Sequence, residues 1–417
     1  MNTASNKGKV FYGWYVVAGA LLIMLMIGGI AWNCVSVFIK PVCADLGFTR
    51  QAMSMNATIT SIIGMCISLS WGYILKHFSL KKLMRLAAFG LPLGYVGYSF
   101  CSEIWMFYAC SVLVGLSLCL VMNLPLSIIL SNWFEEKRGQ AMGIAFMGSG
   151  IGGMLFIPVI SNMIEKMGWR FTYRFSAAVM FAAAFVAIFF LIRIRPEEMG
   201  LKPLGWEKRA AAAAETGAAQ AAEGPLFSEL SRTGRFWLLA FCISASNSAV
   251  GCVNQALQPH LTDNGYPVAT AALIVSIGMG LLAVGKMGLG VVFDKMGIRI
   301  GTLFSLGLGL LGLIGMIFCR SWLGVAAAVV LGQGIGCAFG TVGVPIVTRA
   351  LFGERDYATN YGVVCAIGGV CNSISPMLNG AAYDRFGSYN PALVLWACLM
   401  AFGLLVFVRT LPGRKKA

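Results

Sequence analysis

Long apolar runs restrict the possible folds of this chain more than any other feature. A helix that crosses a bilayer needs about 20 predominantly apolar residues. Twelve such runs occur, at residues 11–39, 51–75, 83–101, 104–131, 140–163, 172–192, 236–260, 267–293, 300–319, 322–348, 359–382 and 391–408. Because these runs are long and apolar all round, they favour helices over the short, alternating strands of a membrane barrel. The sequence therefore predicts an all-α membrane protein of twelve transmembrane helices.

Charged residues are scarce and unevenly placed along the chain. They make up 11% of it, against about 25% in soluble domains, and the net charge is +15. If the N-terminus is cytoplasmic, the segments on that side hold 23 of the 31 Lys and Arg residues, those on the other side hold seven, and Lys286 lies inside a run. This asymmetry predicts a multi-pass protein of the cytoplasmic membrane with both termini inside the cell. It argues against a nucleic-acid partner.

The two halves of the chain repeat one pattern at an offset of 218 residues. The matching pairs include Pro41 and Pro259, Asp45 and Asp263, Gly47 and Gly265, Gly72 and Gly290, Phe134 and Phe352, Glu136 and Glu354, and Pro158 and Pro376. Parallel halves of this kind hold their binding site between them, near the bilayer midplane. We expect a cytoplasmic N-terminus (1–10), a six-helix bundle (11–192), a cytoplasmic linker (193–235), a second six-helix bundle (236–408) and a cytoplasmic C-terminus (409–417). The linker holds an alanine-rich stretch, Ala210 to Ala222, and is expected to act as a tether.

One loop resembles a known family signature. Gly290-Val-Val-Phe-Asp294-Lys295-Met-Gly297-Ile-Arg299 resembles the signature loop of the major facilitator superfamily, which follows the second helix of each half. The first half keeps Gly72 and Lys81 at the corresponding positions, but Lys76 stands where the family has aspartate. The resemblance implies that these residues form a gating loop that holds the cytoplasmic side shut, with Asp294 near a helix N-terminus.

Further motifs are similar to the monocarboxylate transporter family and its oxalate–formate antiporter relatives. They are Tyr12-Gly13-Trp14, Trp133-Phe134-Glu-Glu-Lys137-Arg138, Arg195-Pro196-Glu-Glu-Met-Gly200, Gln258-Pro259-His260-Leu261 and Tyr383-Asp384-Arg385-Phe-Gly387. The resemblance extends over nearly the whole chain except the linker. It implies two pseudo-symmetric six-helix bundles, the major facilitator fold, and a secondary active transporter that works without a cofactor.

Lys286 is the one ionisable residue deep inside an apolar run. It lies eight residues before Asp294, hence about 12 Å from the cytoplasmic end of its helix and near the midplane. A lysine there costs about 2.5–3.5 kcal/mol on insertion scales, and no Asp or Glu lies in the core of any run. A ligand carboxylate would balance the charge. The resemblance implies the same role, because family members carry a substrate-binding arginine four residues before Gly290; a lysine that snorkels to the interface stays the alternative.

Polar and aromatic side chains in other runs are candidates to line the pocket around Lys286. They are Trp32, Asn33, Asn123, Asn254, Gln255, Gln333 and Asn372. Each of them can instead bond neighbouring helices to one another. Proton-coupled family members carry an aspartate where this chain has Leu282 and a helix-one lysine where it has Asn33, so no buried-acid proton relay is visible.

These observations predict a transporter that moves a small organic monocarboxylate anion by alternating access. A single buried cation favours a monoanion over a dianion. Coupling is either anion exchange or proton symport in which the ligand or Lys286 carries the proton, and we expect a functional monomer. A transporter of another small solute (a drug, sugar or neutral amino acid) and a dicarboxylate or formate-type exchanger stay open. An enzyme and a metal site are not expected, because the thirteen cysteines form no CxxC pair and the runs hold no nucleophile with a base.

Overall fold

Twelve long helices account for most of the described chain. A computed structural model describes residues 11–207 and 225–411. The expected N-terminal segment 1–10, the alanine-rich stretch and the tail from residue 412 lie outside these ranges. The first half consists of α1 (Gly13–Leu46), α2 (Arg50–His77), α3 (Leu80–Phe100), α4 (Ile104–Trp133), α5 (Arg138–Met167) and α6 (Trp169–Leu191). The second half consists of α7 (Gly234–Asp263), α8 (Val268–Met296), α9 (Ile298–Ile317), α10 (Trp322–Phe352), α11 (Tyr357–Phe386) and α12 (Asn390–Thr410).

The predicted all-α membrane fold is confirmed. Within the described residues, eleven of these helices are both long enough and apolar enough to cross a membrane. The remaining one, α3, is less apolar because Lys81, Lys82 and Arg85 occupy its first two turns. Its 21 residues still extend over about 31 Å, enough for the hydrocarbon core. Each predicted run matches one helix closely, except that α1 continues past residue 39 to Leu46.

Several helices are irregular near their midpoints. The turns of α1 widen over Met24–Trp32, and α4 is interrupted at Met122, where φ is −95° and ψ is −127°. In α10 the turns widen over Ala328–Gly336 and again over Phe339–Gly343. Widened and broken helical turns release backbone groups and occur often at functional sites. These irregularities indicate the depth at which a binding site would lie.

The internal repeat is visible in the helix boundaries. Helices α2, α3 and α4 begin at residues 50, 80 and 104, and α8, α9 and α10 begin 218 residues later, at 268, 298 and 322. The turns after α1 and α7 also match, because Gly47 and Gly265 both adopt positive φ, at 71° and 92°. Glycine adopts this conformation without a steric penalty because it has no Cβ. The two halves therefore share one helix order and one turn.

The two halves meet along two pairs of helices, α5 with α8 and α2 with α11. The contacts are closest toward the side of the molecule where α1 begins and the linker lies, here called the linker end. There Gly139 lies against the backbone of Gly290, and Gly72 lies against Thr359. Glycine is required at such positions because any side chain would separate the backbones. The halves are thus in direct contact at the linker end.

Both described ends of the linker are hydrogen-bonded to the helical bundles. Leu204 pairs with the turn before α5, since its N–H donates to Trp133 O at 2.9 Å and its carbonyl accepts from Glu135 N at 3.0 Å. On the other side, Phe227 N donates to the carboxylate of Asp356, just before α11, at 2.8 Å. Both ends of the linker are therefore fastened to the turns that begin the two contact helices α5 and α11.

Candidate functional site

Lys286 is buried between the two halves. Its side chain on α8 is only 3% exposed. The ammonium donates to Ser149 Oγ at 2.7 Å and to Phe146 O at 3.3 Å, and both acceptors belong to α5 of the other half. No carboxylate of the described residues pairs with it. The structure thus places a membrane-embedded cation at the interface of the halves, held by two neutral acceptors.

Asn33 reaches the same point from α1. It lies where α1 is interrupted, and its Nδ2 donates to Ser149 O at 2.8 Å. Its side chain packs against Gly153, where a Cβ would lie 2.8 Å from Nδ2. Ser149 therefore joins Asn33 of the first helix with Lys286 of the eighth. The structure brings these two predicted site residues together through a serine that was not predicted.

Ser149 was not predicted as a site residue because a serine in an apolar helix is usually a packing residue. One signal was present: Ser149 lies between Gly148 and Gly150. Gly148 packs against the backbone of α1 and Gly150 packs against Ala283 of α8. The flanking glycines allow both helices to approach the serine closely.

A second polar group lies within the C-terminal half. Gln333 of α10 is fully buried, and its Nε2 donates to Asn254 Oδ1 at 3.0 Å and to Val275 O at 3.3 Å. Asn372 of α11 is half-buried and lies against Gly251 of α7, where a Cβ would be 3.2 Å from its Oδ1. In this conformation Asn254 and Gln333 bond helices to each other, and Gln333 is not open to a ligand.

The side chains of the remaining predicted pocket residues form no hydrogen bond with other described residues. Trp32 is 64% exposed although it is the twentieth of the 34 residues of α1. Gln255 is exposed, and Asn123 is half-buried at the first position after the break in α4. None of these three side chains hydrogen-bonds to Lys286.

Asp294 joins the two halves at the linker end. Its Oδ1 accepts from Gly139 N and its Oδ2 from Gln140 N, both at 2.7 Å. These amides are at the N-terminus of α5, where the helix dipole favours a negative charge. The contact between Gly290 and Gly139 brings the carboxylate within reach. A residue of the second half thus caps a helix of the first.

Other gating-loop residues stabilise the ends of single helices. Gly297 adopts a φ of +86° in the turn between α8 and α9, a conformation that favours glycine. Arg299 donates to Val408 O at 2.7 Å. Lys81 forms a partly exposed ion pair with Glu198 at 3.5 Å. None of these contacts joins one helical bundle to the other, so they cannot hold the two halves together.

The corresponding loop in the first half makes different contacts. Lys76, which replaces the family's aspartate, is exposed, and so is Lys295 of the intact loop. Gly72 still packs closely on Thr359 of α11. Asp356, the residue just before α11, accepts a hydrogen bond from Phe227 N of the linker. On this side of the interface an acidic residue therefore bonds the linker and does not cap a helix of the other half.

The structure adds an ion-pair cluster that the motifs did not predict. Arg138 at the start of α5 lies 4.0 Å from Glu354 of the other half. Glu354 also accepts from Arg349 Nε at 2.8 Å. Beside this cluster lies a cavity of about 760 Å³. It is lined by residues that include Glu135, Lys137, Arg138, Phe293, Asp294 and Arg299, so it belongs to the linker end and not to the surroundings of Lys286.

Two matching helical halves with a buried cation and charged contacts between them are the arrangement typical of secondary transporters. Comparison with known proteins supports this class. The model of the Major Facilitator Superfamily matches residues 21–332. The chain therefore belongs to the Major Facilitator Superfamily, and it is a multi-pass membrane transporter rather than an enzyme.

Relatives are similar over nearly their whole lengths. The oxalate:formate antiporter of Oxalobacter formigenes is 24% identical over 425 residues, which covers 99% of this chain and 95% of that protein. Monocarboxylate transporter 12 of Rattus norvegicus is 25% identical over 441 residues, covering 97% and 87%. Among solved structures, the proton:xylose symporter XylE bound to 6-bromo-6-deoxy-D-glucose has a TM-score of 0.74 at 12% identity, covering 97% and 96%. The last likeness shows the fold alone.

Proposed function

We propose that this protein transports a small organic monocarboxylate, such as lactate or pyruvate, by alternating access, and that the substrate carboxylate pairs with Lys286. The observation that carries the proposal is the buried ammonium of Lys286, which has no carboxylate partner among the described residues. Burying a charge without a counter-charge is unfavourable. A carboxylate ligand would supply that charge. The names of two relatives, a monocarboxylate transporter and an oxalate:formate antiporter, support a small carboxylate as the substrate; formate and the monocarboxylates match the single charge of Lys286, whereas oxalate carries two carboxylates.

The charge balance favours a monoanion. Two carboxylates brought to one ammonium would leave a negative charge in a medium of low dielectric constant. Lysine also offers a point charge without the two-pronged geometry of arginine, so it selects for charge more than for carboxylate orientation. Asn33 is well placed to add selectivity for the rest of the molecule, since it shares Ser149 with Lys286.

The distribution of positive charge supports an orientation. Most Lys and Arg residues belong to the sequence segments that flank the helices at the linker end, and this excess favours the cytoplasmic side of the cytoplasmic membrane for that end. On this assignment the contacts of Asp294 and Gly290 close the cytoplasmic side. The conformation described is then closed toward the cell interior.

The two coupling modes make different predictions. Proton symport needs a group that gains and loses a proton within the transport cycle, and Leu282 stands where proton-coupled relatives have an acid. Anion exchange needs only that the loaded carrier reorients faster than the empty one. The similarity to an oxalate:formate antiporter favours exchange, with the substrate itself as the counter-ion in each direction.

The test is uptake of labelled lactate, pyruvate, formate and oxalate into proteoliposomes. Each acid is measured with and without the same acid inside, and with and without a pH gradient. Lys286→Gln should abolish uptake and Lys286→Arg should retain part of it, because arginine keeps the positive charge. Lys166→Gln is the matched control, since Lys166 is exposed near the end of α5 that lies away from the linker. Normal uptake by Lys286→Gln would refute the site, and uptake of a neutral sugar or amino acid in place of the acids would refute the substrate class.

A further inference from the structure

The ammonium of Lys286 already has an acceptor at the distance of a charge-assisted bond. Ser149 Oγ lies 2.7 Å from Nζ, within the range typical of an ammonium–carboxylate contact. The second acceptor, Phe146 O, lies further away at 3.3 Å. An ammonium has three N–H donors, and the described residues provide partners for two of them. The serine oxygen therefore occupies a position that a substrate oxygen could take.

The orientation of the Ser149 hydroxyl is fixed by its other contacts. The hydroxyl hydrogen is directed at Phe146 O, 3.1 Å away in the preceding turn. Its oxygen lone pairs are then free to face the ammonium of Lys286. The backbone carbonyl of Ser149 is held separately by Asn33 of α1. Ser149 is thus held as an acceptor toward Lys286 and not as a donor.

We propose that Ser149 is a placeholder for the substrate: its hydroxyl binds Lys286 in the empty carrier, and the incoming carboxylate replaces it. This rests on the proposed function, because it takes Lys286 as the substrate-binding cation. Ser149 is a positioning residue on this account. It holds the ammonium at the interface of the halves until an acid arrives.

The placeholder links substrate binding to movement of the halves. The bond that the carboxylate replaces joins α5 to α8 and therefore one half to the other. In the empty carrier, separating the halves at this depth would leave the ammonium without acceptors, which is unfavourable in an apolar surrounding. A bound acid removes that obstacle because it stays with Lys286. The loaded carrier therefore reorients more readily than the empty one, as exchange requires.

Ser149→Ala separates three roles for this serine. If Ser149 is a placeholder, the acid no longer competes with the hydroxyl, and its Kd falls about tenfold, the size expected for one hydrogen bond to a charged group. If Ser149 bound the substrate directly, Kd would rise. If it only packed helices, thermal stability would fall and Kd would not change. Either of the last two results overturns the proposal.

Binding is measured by calorimetry on the purified full-length protein, with lactate, pyruvate and formate as probes. Ser305→Ala is the matched control, because Ser305 is a buried serine of α9 that bonds to Ile335 O and lies outside the site. Lys286→Gln and the double variant Ser149→Ala, Lys286→Gln should both show no measurable acid binding. Acid binding that returned in the double variant would refute the placeholder role.

A second measurement does not depend on knowing the substrate. Without any acid, Ser149→Ala should speed hydrogen–deuterium exchange at the amides of Gly139 and Gln140, which the closed linker end protects through Asp294. Unchanged exchange and unchanged Kd, together with loss of binding in Lys286→Gln, would refute the placeholder and leave the proposed function intact. Absence of acid binding by the wild-type protein would overturn both.

Discussion

Replacing Asp294 by asparagine should loosen the linker end by an amount that the structure allows to be estimated. Each carboxylate oxygen accepts one backbone N–H of α5 at 2.7 Å. Asparagine keeps one neutral acceptor and turns an NH₂ group toward the other amide, so one bond and the negative charge are lost. A hydrogen bond to a charged group contributes about 1.5–3 kcal/mol. Because Asp294 is exposed to solvent, which screens its charge, the lower part of that range, about 1.5–2 kcal/mol, applies.

This free energy shifts the ratio of closed to open linker ends by roughly 10- to 30-fold. Hydrogen–deuterium exchange of the peptide that contains Gly139 and Gln140 measures the shift, because exchange proceeds through the open form. Asp384→Asn is the matched control, since Asp384 is an exposed carboxylate at the far end of α11. If Asp294→Asn exchanged no faster than Asp384→Asn, the carboxylate would not be holding the halves together.

Three further substitutions test other parts of the account. Gly143→Val should reduce uptake to background in folded protein, because a Cβ there would lie 2.6 Å from a carbonyl of α8; wild-type uptake would contradict the close contact. Gln333→Leu removes the donor to Asn254 and should lower the thermal midpoint by a few degrees, and an unchanged midpoint would show the bond to be unimportant. Leu204→Pro removes the N–H that bonds Trp133 O, so exchange in the turn before α5 should accelerate; protection equal to wild type would argue against a fastened linker.

The fold could be predicted from the sequence because the membrane imposes a simple rule. An apolar run of sufficient length must form a helix that satisfies its own backbone. The repeat at an offset of 218 residues then predicted that the chain consists of two matching halves. The structure shows the same offset between the first residues of α2 and α8. The interruptions of α1 and α4 were not predicted, because their residues are as apolar as a regular helix. Their shape depends on the packing of neighbouring helices.

For the site, the sequence predicted the depth of Lys286 but not its surroundings. Depth follows from counting residues along a helix. Burial depends on how closely α5 approaches, and that is set by Gly143 and Gly150 in another helix. Ser149 could not be singled out for the same reason, since its role arises only where α1, α5 and α8 meet. Likewise, Gln333 and Asn254 were considered for the pocket, whereas the structure bonds them to each other.

The most direct test of the account is a comparison of acid binding by the wild-type protein and by Lys286→Gln, with titration of lactate and of an uncharged analogue, lactamide, by calorimetry. We predict that the wild-type protein binds lactate and not lactamide, and that the substitution removes lactate binding while the thermal midpoint without ligand does not fall. Equal binding of lactate by both proteins, or equal binding of lactamide and lactate by the wild type, would contradict the claim that a buried ammonium recognises the carboxylate.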